Sequence, residues 1–76
     1  PTVLREKGFR VMVYLEDHAP PHVHVVKDNE VAIYVLEPVA LREIIGSMSK
    51  ADVAKAKRLI VARHDFLKKE WNRING

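Results

Sequence analysis

Hydrophobic and polar residues alternate along the first half of the chain, which is the period of a β-strand. The clearest stretch is Pro20-Pro21-His22-Val23-His24-Val25, in which two prolines force an extended entry and histidine then alternates with valine. Short turns separate this stretch from its neighbours, so the pattern predicts an antiparallel meander of three to four strands over about residues 2–37. The predicted strands are Thr2–Arg5, Phe9–Glu16, His22–Lys27 and Val31–Leu36.

The second half of the chain follows a helical pattern. Residues 39–46 are predicted to form a short helical turn that ends at Gly46, where glycine suits a left-handed cap. Ser49 is a good N-cap, and an apolar stripe that repeats every seven residues predicts one long helix over about residues 50–74. Because only the sheet can cover that stripe, we expect a single α+β domain, residues 1–76, built as a two-layer sandwich.

The strand alternation also assigns side chains to the two faces of the sheet. One set is expected to pack under the long helix: Phe9, Val11, Val13, Leu15, Val23 and Val25. The opposite face carries Arg10, Met12, Tyr14, Glu16, His22, His24 and Val26, whereas Tyr34 fits either face. No further helix is available to cover the second face, so we expect it to be a binding surface.

The composition limits the classes of protein and of partner that fit this surface. The chain has 76 residues, no cysteine, and 13 Lys and Arg against 10 Asp and Glu, for a net charge of +3. The lack of cysteine excludes a disulfide framework and a thiolate metal site. No apolar run approaches the length of a membrane span, so we expect a soluble, cytoplasmic protein without a membrane partner. The mild basic excess favours polyanionic partners, RNA or DNA.

Three roles are open for His22 and His24. They can act as a general acid and base, with Arg10 holding a phosphate, in a metal-independent ribonuclease arrangement. They can ligate a metal together with His18 or Glu16, although two histidines at this spacing are a weak signal. They can also be structural residues that bond to neighbours. We name His22, His24 and Arg10 as the catalytic candidates, assign no residue to a metal site and expect no cofactor.

The sequence resembles a family of small bacterial and phage domains catalogued as domain of unknown function 4160 (DUF4160). The resemblance rests on Pro1-Thr2-Val3, Gly8-Phe9-Arg10, the Pro-Pro-His-Val-His-Val signature at residues 20–25, Leu36-Glu37-Pro38, and a closing helix with His64 and Trp71. It implies that His22 and His24 are the functional pair, with His18 and Glu37 as neighbours. With the aromatic residues of the sheet, the binding candidates are Tyr14, His18, Tyr34 and Glu37.

The resemblance also implies a biological role. Genes of this family often lie beside one for a small domain of unknown function 2442, in what looks like a type II toxin–antitoxin module. The chain is then expected to be the toxin, acting on RNA or translation through the histidine-bearing face, and the neighbour its antitoxin. The alternatives are a non-enzymatic nucleic-acid-binding or adaptor module, such as a transcriptional regulator, and a small histidine-metal protein. A homodimer is a further partner hypothesis for so small a domain.

Overall fold

The computed structural model describes all residues from 1 to 76 and contains five strands followed by two helices. The elements are β1 (Thr2–Glu6), β2 (Phe9–Met12), β3 (His22–Lys27), β4 (Glu30–Leu36), β5 (Val39–Ile45), α1 (Lys50–Ala62) and α2 (His64–Asn75). The strands form one antiparallel sheet in the order β1-β2-β3-β4-β5, so every strand pairs with its neighbour in sequence. The predicted α+β class and the antiparallel meander are confirmed, and β3 has the predicted bounds.

The fifth strand corrects the sequence prediction, because residues 39–46 are not a helical turn. Leu36 and Val39 pair across a tight turn at Glu37-Pro38, and the chain then runs back along β4 to Ile45. Ile33 pairs with Glu43 and Tyr34 pairs with Leu41, which leaves Arg42 as an extra residue in a β-bulge. This extra residue breaks the alternation of hydrophobic positions, so the stretch lacks the two-residue period of a regular strand.

The prediction of a single long helix is also wrong in detail. The helical segment breaks at Arg63, whose backbone lies at φ −110° and ψ 19°, between α1 and α2. An unbroken helix over residues 50–75 would be about 39 Å long at 1.5 Å per residue. The longest dimension of the Cα trace is 32 Å, so the break keeps both helices on the sheet. Neither helix combines the length and the hydrophobicity that a membrane crossing requires.

The core lies between one face of the sheet and the two helices. Its fully buried side chains include Val11, Val13, Val23, Val25, Tyr34, Leu36, Ile60 and Leu67. The predicted inward set is therefore confirmed except for Leu15, which is 68% exposed. Leu15 turns outward because β2 ends at Met12 and the chain then leaves the sheet as a loop.

Candidate functional site

The connection between β2 and β3, residues 13–21, forms one wall of the candidate site. The side chain of Asn75, at the end of α2, holds this loop from both sides. Its amide oxygen accepts from the backbone N–H of Asp17 at 2.9 Å, and its amide nitrogen donates to the carbonyl of Tyr14 at 3.0 Å. Glu16, between the two tethers, has a positive φ of 58°, an uncommon conformation for a non-glycine residue. The loop is therefore fixed to the helical layer close to the start of β3.

His22 is the most deeply buried polar residue, with 5% of its surface exposed, and its ring packs against Trp71 at 4.9 Å between centroids. Its Nδ1 lies 2.8 Å from the carbonyl oxygen of Pro20, and its Nε2 lies 2.8 Å from Oδ2 of Asp17. A carbonyl oxygen and a carboxylate oxygen both accept hydrogen bonds. A proton shared by Nε2 and the carboxylate, or a cation bound by both atoms, therefore satisfies this pair.

His24 is the next residue on the same face of β3, with its ring centroid 5.5 Å from that of His22. The ring of Tyr14 meets it edge-on at 4.7 Å. Burial is the main cause that lowers the pKa of His24; His22 and Arg42 lower it further, Asp17 and Glu43 oppose them, and the net direction keeps the imidazole neutral at pH 7. Its Nδ1 is buried and has no hydrogen-bond partner. His24 is thus a neutral imidazole with an unused polar atom, which is costly in a folded protein.

Asp17, His22 and His24 form a compact group of potential ligands. One ligand atom from each residue lies within 4.8 Å of those of the other two. Two imidazole nitrogens and a carboxylate oxygen are a donor set that zinc and neighbouring transition metals accept. The same group can orient and polarise a substrate without a metal, so its geometry serves either kind of chemistry.

This group opens into a cavity of about 400 Å³, here called the histidine pocket. Tyr14, Leu15, Glu16, His18, Ile33, Arg42 and Glu43 line it together with Asp17, His22 and His24. Arg42 and Glu43 are consecutive residues, which would point to opposite faces in a regular strand. The bulge at Arg42 allows both to line the pocket, and bulges commonly redirect a side chain beside an active site.

The structure brings four of the predicted site residues together. His22, His24, Tyr14 and His18 all line the histidine pocket. Arg10 does not join them, because it lines a separate cavity beside the β1–β2 turn with Arg5, Lys7 and Asp28. That cavity is larger, about 550 Å³, but contains no histidine. Arg42 is the arginine of the histidine pocket.

The other two predicted binding residues lie elsewhere. Tyr34 is fully buried in the core, where its hydroxyl donates to the carbonyl oxygen of Val53 at 2.7 Å. Burial raises the pKa of this phenol, so it stays neutral. Glu37 is exposed in the turn between β4 and β5 and forms an ion pair with Lys68 of α2. Tyr34 and Glu37 therefore support the fold and do not line the pocket.

Three polar residues of the pocket were missed from the sequence: Asp17, Arg42 and Glu43. Asp17 lies in an irregular loop, and its position five residues before His22 is a weak signal for a paired carboxylate. Arg42 and Glu43 were hidden by the helical interpretation of residues 39–46. A regular strand assignment would have placed Arg42 opposite Ile33, which itself pairs with His24, whereas the bulge puts Glu43 there.

His64 is a useful contrast to the pocket histidines. Its Nε2 donates to the carbonyl oxygen of Leu36 at 2.8 Å, and its Nδ1 lies 3.1 Å from Oδ1 of Asp65. Its interactions thus join α2 to the end of β4, away from the histidine pocket. His64 has a structural role and is a natural control for substitutions of the pocket histidines.

Comparison with known proteins gives one match, to a protein-family model. The family model described as domain of unknown function (DUF4160) matches residues 8–72, a segment that begins just before β2 and includes every residue of the pocket. Neither a curated protein nor a solved structure matches the chain. The chemistry of the histidine pocket is therefore the main indication of what the protein does.

Proposed function

The chain belongs to the DUF4160 family, and on that premise we propose that it is the toxin of a type II toxin–antitoxin module and that it cleaves RNA at the histidine pocket. One observation carries the proposal: three imidazoles, three carboxylates and one guanidinium line one open cavity. This combination of a phosphate-binding cation with proton-accepting groups is what cleavage of a phosphodiester requires.

The residues that line the pocket have different roles in this proposal. Arg42 binds the scissile phosphate through its guanidinium, which suits phosphate geometry. Tyr14 is 42% exposed and stacks on a base, as aromatic side chains do with single-stranded RNA. His24 and Asp17 lie next to the ribose. The side chains that contact RNA thus come from the β2–β3 loop, β3 and β5.

The reaction that we propose uses the ribose 2′-hydroxyl. Its oxygen forms a bond to phosphorus while the bond from phosphorus to the 5′-oxygen breaks. The hydroxyl proton passes to the imidazole–carboxylate group, and the leaving 5′-oxygen takes a proton from water. His22 has both ring nitrogens engaged with Pro20 and Asp17, so it positions the group and His24 is the imidazole that faces the substrate.

The antitoxin in this proposal is a small protein of the domain of unknown function 2442 type, encoded beside the toxin. It covers the open side of the pocket, where Tyr14, Leu15 and Ile45 expose apolar surface. Exposed apolar side chains close to a functional pocket are typical of a protein interface. The toxin acts in the bacterial cytoplasm, where its RNA substrate is found.

A growth experiment tests the proposal. The native chain is induced in a bacterial host without its neighbouring gene, beside His24→Ala and, as a matched control, His64→Gln. The control removes an imidazole outside the pocket but keeps an amide donor for the carbonyl of Leu36. We expect native and His64→Gln to arrest growth and His24→Ala, accumulated to the same level, to grow normally. Normal growth with the native chain, or arrest by His24→Ala, would contradict the proposal.

The alternative from the sequence is a non-enzymatic module that binds DNA through its basic helix. Lys55, Lys57 and Arg58 lie exposed on α1 and provide the charge for such binding. Ala56, Leu59 and Ile60 of the same helix are buried against the sheet, which leaves only its basic outer face for DNA. Steeply salt-dependent binding to duplex DNA that requires Lys57 and Arg58 but not His24 would favour this alternative.

A further inference from the structure

We infer that the histidine pocket binds one divalent transition-metal ion of the zinc type, with Asp17, His22 and His24 as its protein ligands. The ligand atoms of the three side chains already lie within 4.8 Å of one another. Small adjustments bring such atoms to the roughly 2.0–2.2 Å from a central ion that zinc sites show. The inference departs from the expectation of a metal-independent mechanism and replaces His18 or Glu16 by Asp17 as the third ligand.

The orientation of His22 is the first argument for an ion. Its Nδ1 faces the carbonyl oxygen of Pro20 and must carry a proton to bond to it. A histidine that ligates a metal commonly donates its other ring nitrogen to a backbone carbonyl in this way. The lone pair of Nε2 then points at the carboxylate of Asp17, 2.8 Å away. An ion bound by both atoms satisfies them, in place of the proton that would otherwise lie between them.

The state of His24 is the second argument. A metal ligand must be a neutral imidazole with a free nitrogen lone pair. His24 offers such a nitrogen on the face of β3 that it shares with His22, with the two ring centroids 5.5 Å apart. Its Nδ1 is buried without a hydrogen-bond partner, so nothing in the fold competes for that atom. Tyr14 packs edge-on against the ring and fixes its orientation.

The donor set selects the class of ion. Two nitrogens and one carboxylate oxygen suit zinc, iron, cobalt and nickel, whereas magnesium and calcium prefer sites built from oxygen alone. Three protein ligands leave at least one coordination position free, as in catalytic zinc sites. That position faces the cavity lined by Arg42 and Glu43, where a phosphate or a water molecule can enter.

Binding of the ion does not depend on the proposed RNA chemistry, although its catalytic use rests on that proposal. An ion in the pocket would bind a phosphate oxygen alongside Arg42 and polarise it. Because its three ligands could then no longer accept the ribose proton, a carboxylate outside the ligand set, Glu16 or Glu43, would take that proton. Metal binding is measured on the purified chain and toxicity is measured in cells, so the two claims can fail separately. A native chain that binds zinc without arresting growth would leave this inference intact and remove the proposed function.

The test uses the full chain purified without a residual affinity tag and stripped with a chelator. Co²⁺ is titrated with visible absorption as the readout, and Zn²⁺ is titrated by calorimetry. We expect one ion per chain, an absorption band from the bound Co²⁺, and a rise in the melting temperature on addition of Zn²⁺. Asp17→Asn and His24→Ala should each weaken binding by about 100-fold or more, beyond the loss typical of an outer-shell change.

Folding is checked by circular dichroism, and His64→Gln is the matched control because it lacks an imidazole outside the group. We expect it to bind zinc as the native chain does. His22→Ala is avoided because His22 packs against Trp71 and its loss would disturb the core. No binding by the native chain, or equal binding by a folded His24→Ala, would overturn the inference. The Asp17–His22 contact would then be a hydrogen bond with no metal ion.

Discussion

The two faces of β3 differ in how completely their polar atoms are hydrogen-bonded. On the helix-covered face, Val23 and Val25 are fully buried, and the one polar group beside them, the hydroxyl of Tyr34, donates to Val53. On the other face, His24 keeps a buried nitrogen without a partner, and a residue with a strained positive φ lines the pocket. Natural proteins keep such unfavourable features mainly at functional sites. The core face therefore accounts for stability, and these features make the pocket face the candidate functional surface.

Truncation in the core should have the largest effect on stability. Leu67 is fully buried under the sheet, and Leu67→Ala leaves a cavity that the surrounding side chains fill only in part. We expect the free energy of unfolding to fall by about 2–5 kcal/mol, measured by urea denaturation. A domain of this size has little stability to lose, so the variant should be largely unfolded at 37 °C. A loss below about 1 kcal/mol would contradict the proposed core.

A smaller loss of stability is expected when a substitution removes a hydrogen bond from the core but leaves the packed volume unchanged. Tyr34→Phe keeps the ring but deletes the hydroxyl that donates to the carbonyl of Val53. We expect the free energy of unfolding to fall by about 1 kcal/mol, the usual net value of one such bond. Urea denaturation of the two proteins in parallel measures it. An unchanged midpoint would show that the bond to α1 is not needed.

A substitution in the histidine pocket, unlike one in the core, should not lower the free energy of unfolding. His24→Leu replaces a buried, unpartnered nitrogen by apolar surface of similar volume. We expect the free energy of unfolding of the chelator-treated protein to stay equal or rise by up to about 1 kcal/mol, while growth arrest is lost. A clear loss of stability would instead make His24 a structural residue, the third role that the sequence left open.

The smallest effect should come from surface ion pairs under acid. Hydrogen bonds from Arg63 lower the pKa of Glu6 from its usual 4.5, and hydrogen bonds from Lys27 lower that of Asp52 from 3.8. Because the folded state holds these carboxyls at a lower pKa, their stabilisation is present above the usual values and lost as the pH falls through the folded ones. Denaturation midpoints should therefore decline below about pH 4.5, with a shallower decline in Glu6→Gln.

The sequence predicted the regular parts of this fold and missed the irregular ones. Strict alternation placed β3 and its buried valines correctly, because a two-residue period assigns faces directly. The bulge at Arg42 and the break at Arg63 depend on packing against other elements, which the local pattern does not contain. For the same reason the site was found only in part: the histidines were visible, whereas Asp17 and Arg42 reach the pocket through a loop and a bulge.

The measurement that tests the central claim most directly is cleavage of RNA by the purified chain. A single-stranded RNA labelled at one end is incubated with native protein, His24→Ala and His64→Gln, after urea denaturation has shown that all three are folded. We predict that native and His64→Gln cleave the RNA, leaving 5′-hydroxyl ends, and that His24→Ala leaves it intact. Intact RNA with the native chain, or equal cleavage by all three proteins, would contradict the assignment of function to the histidine pocket.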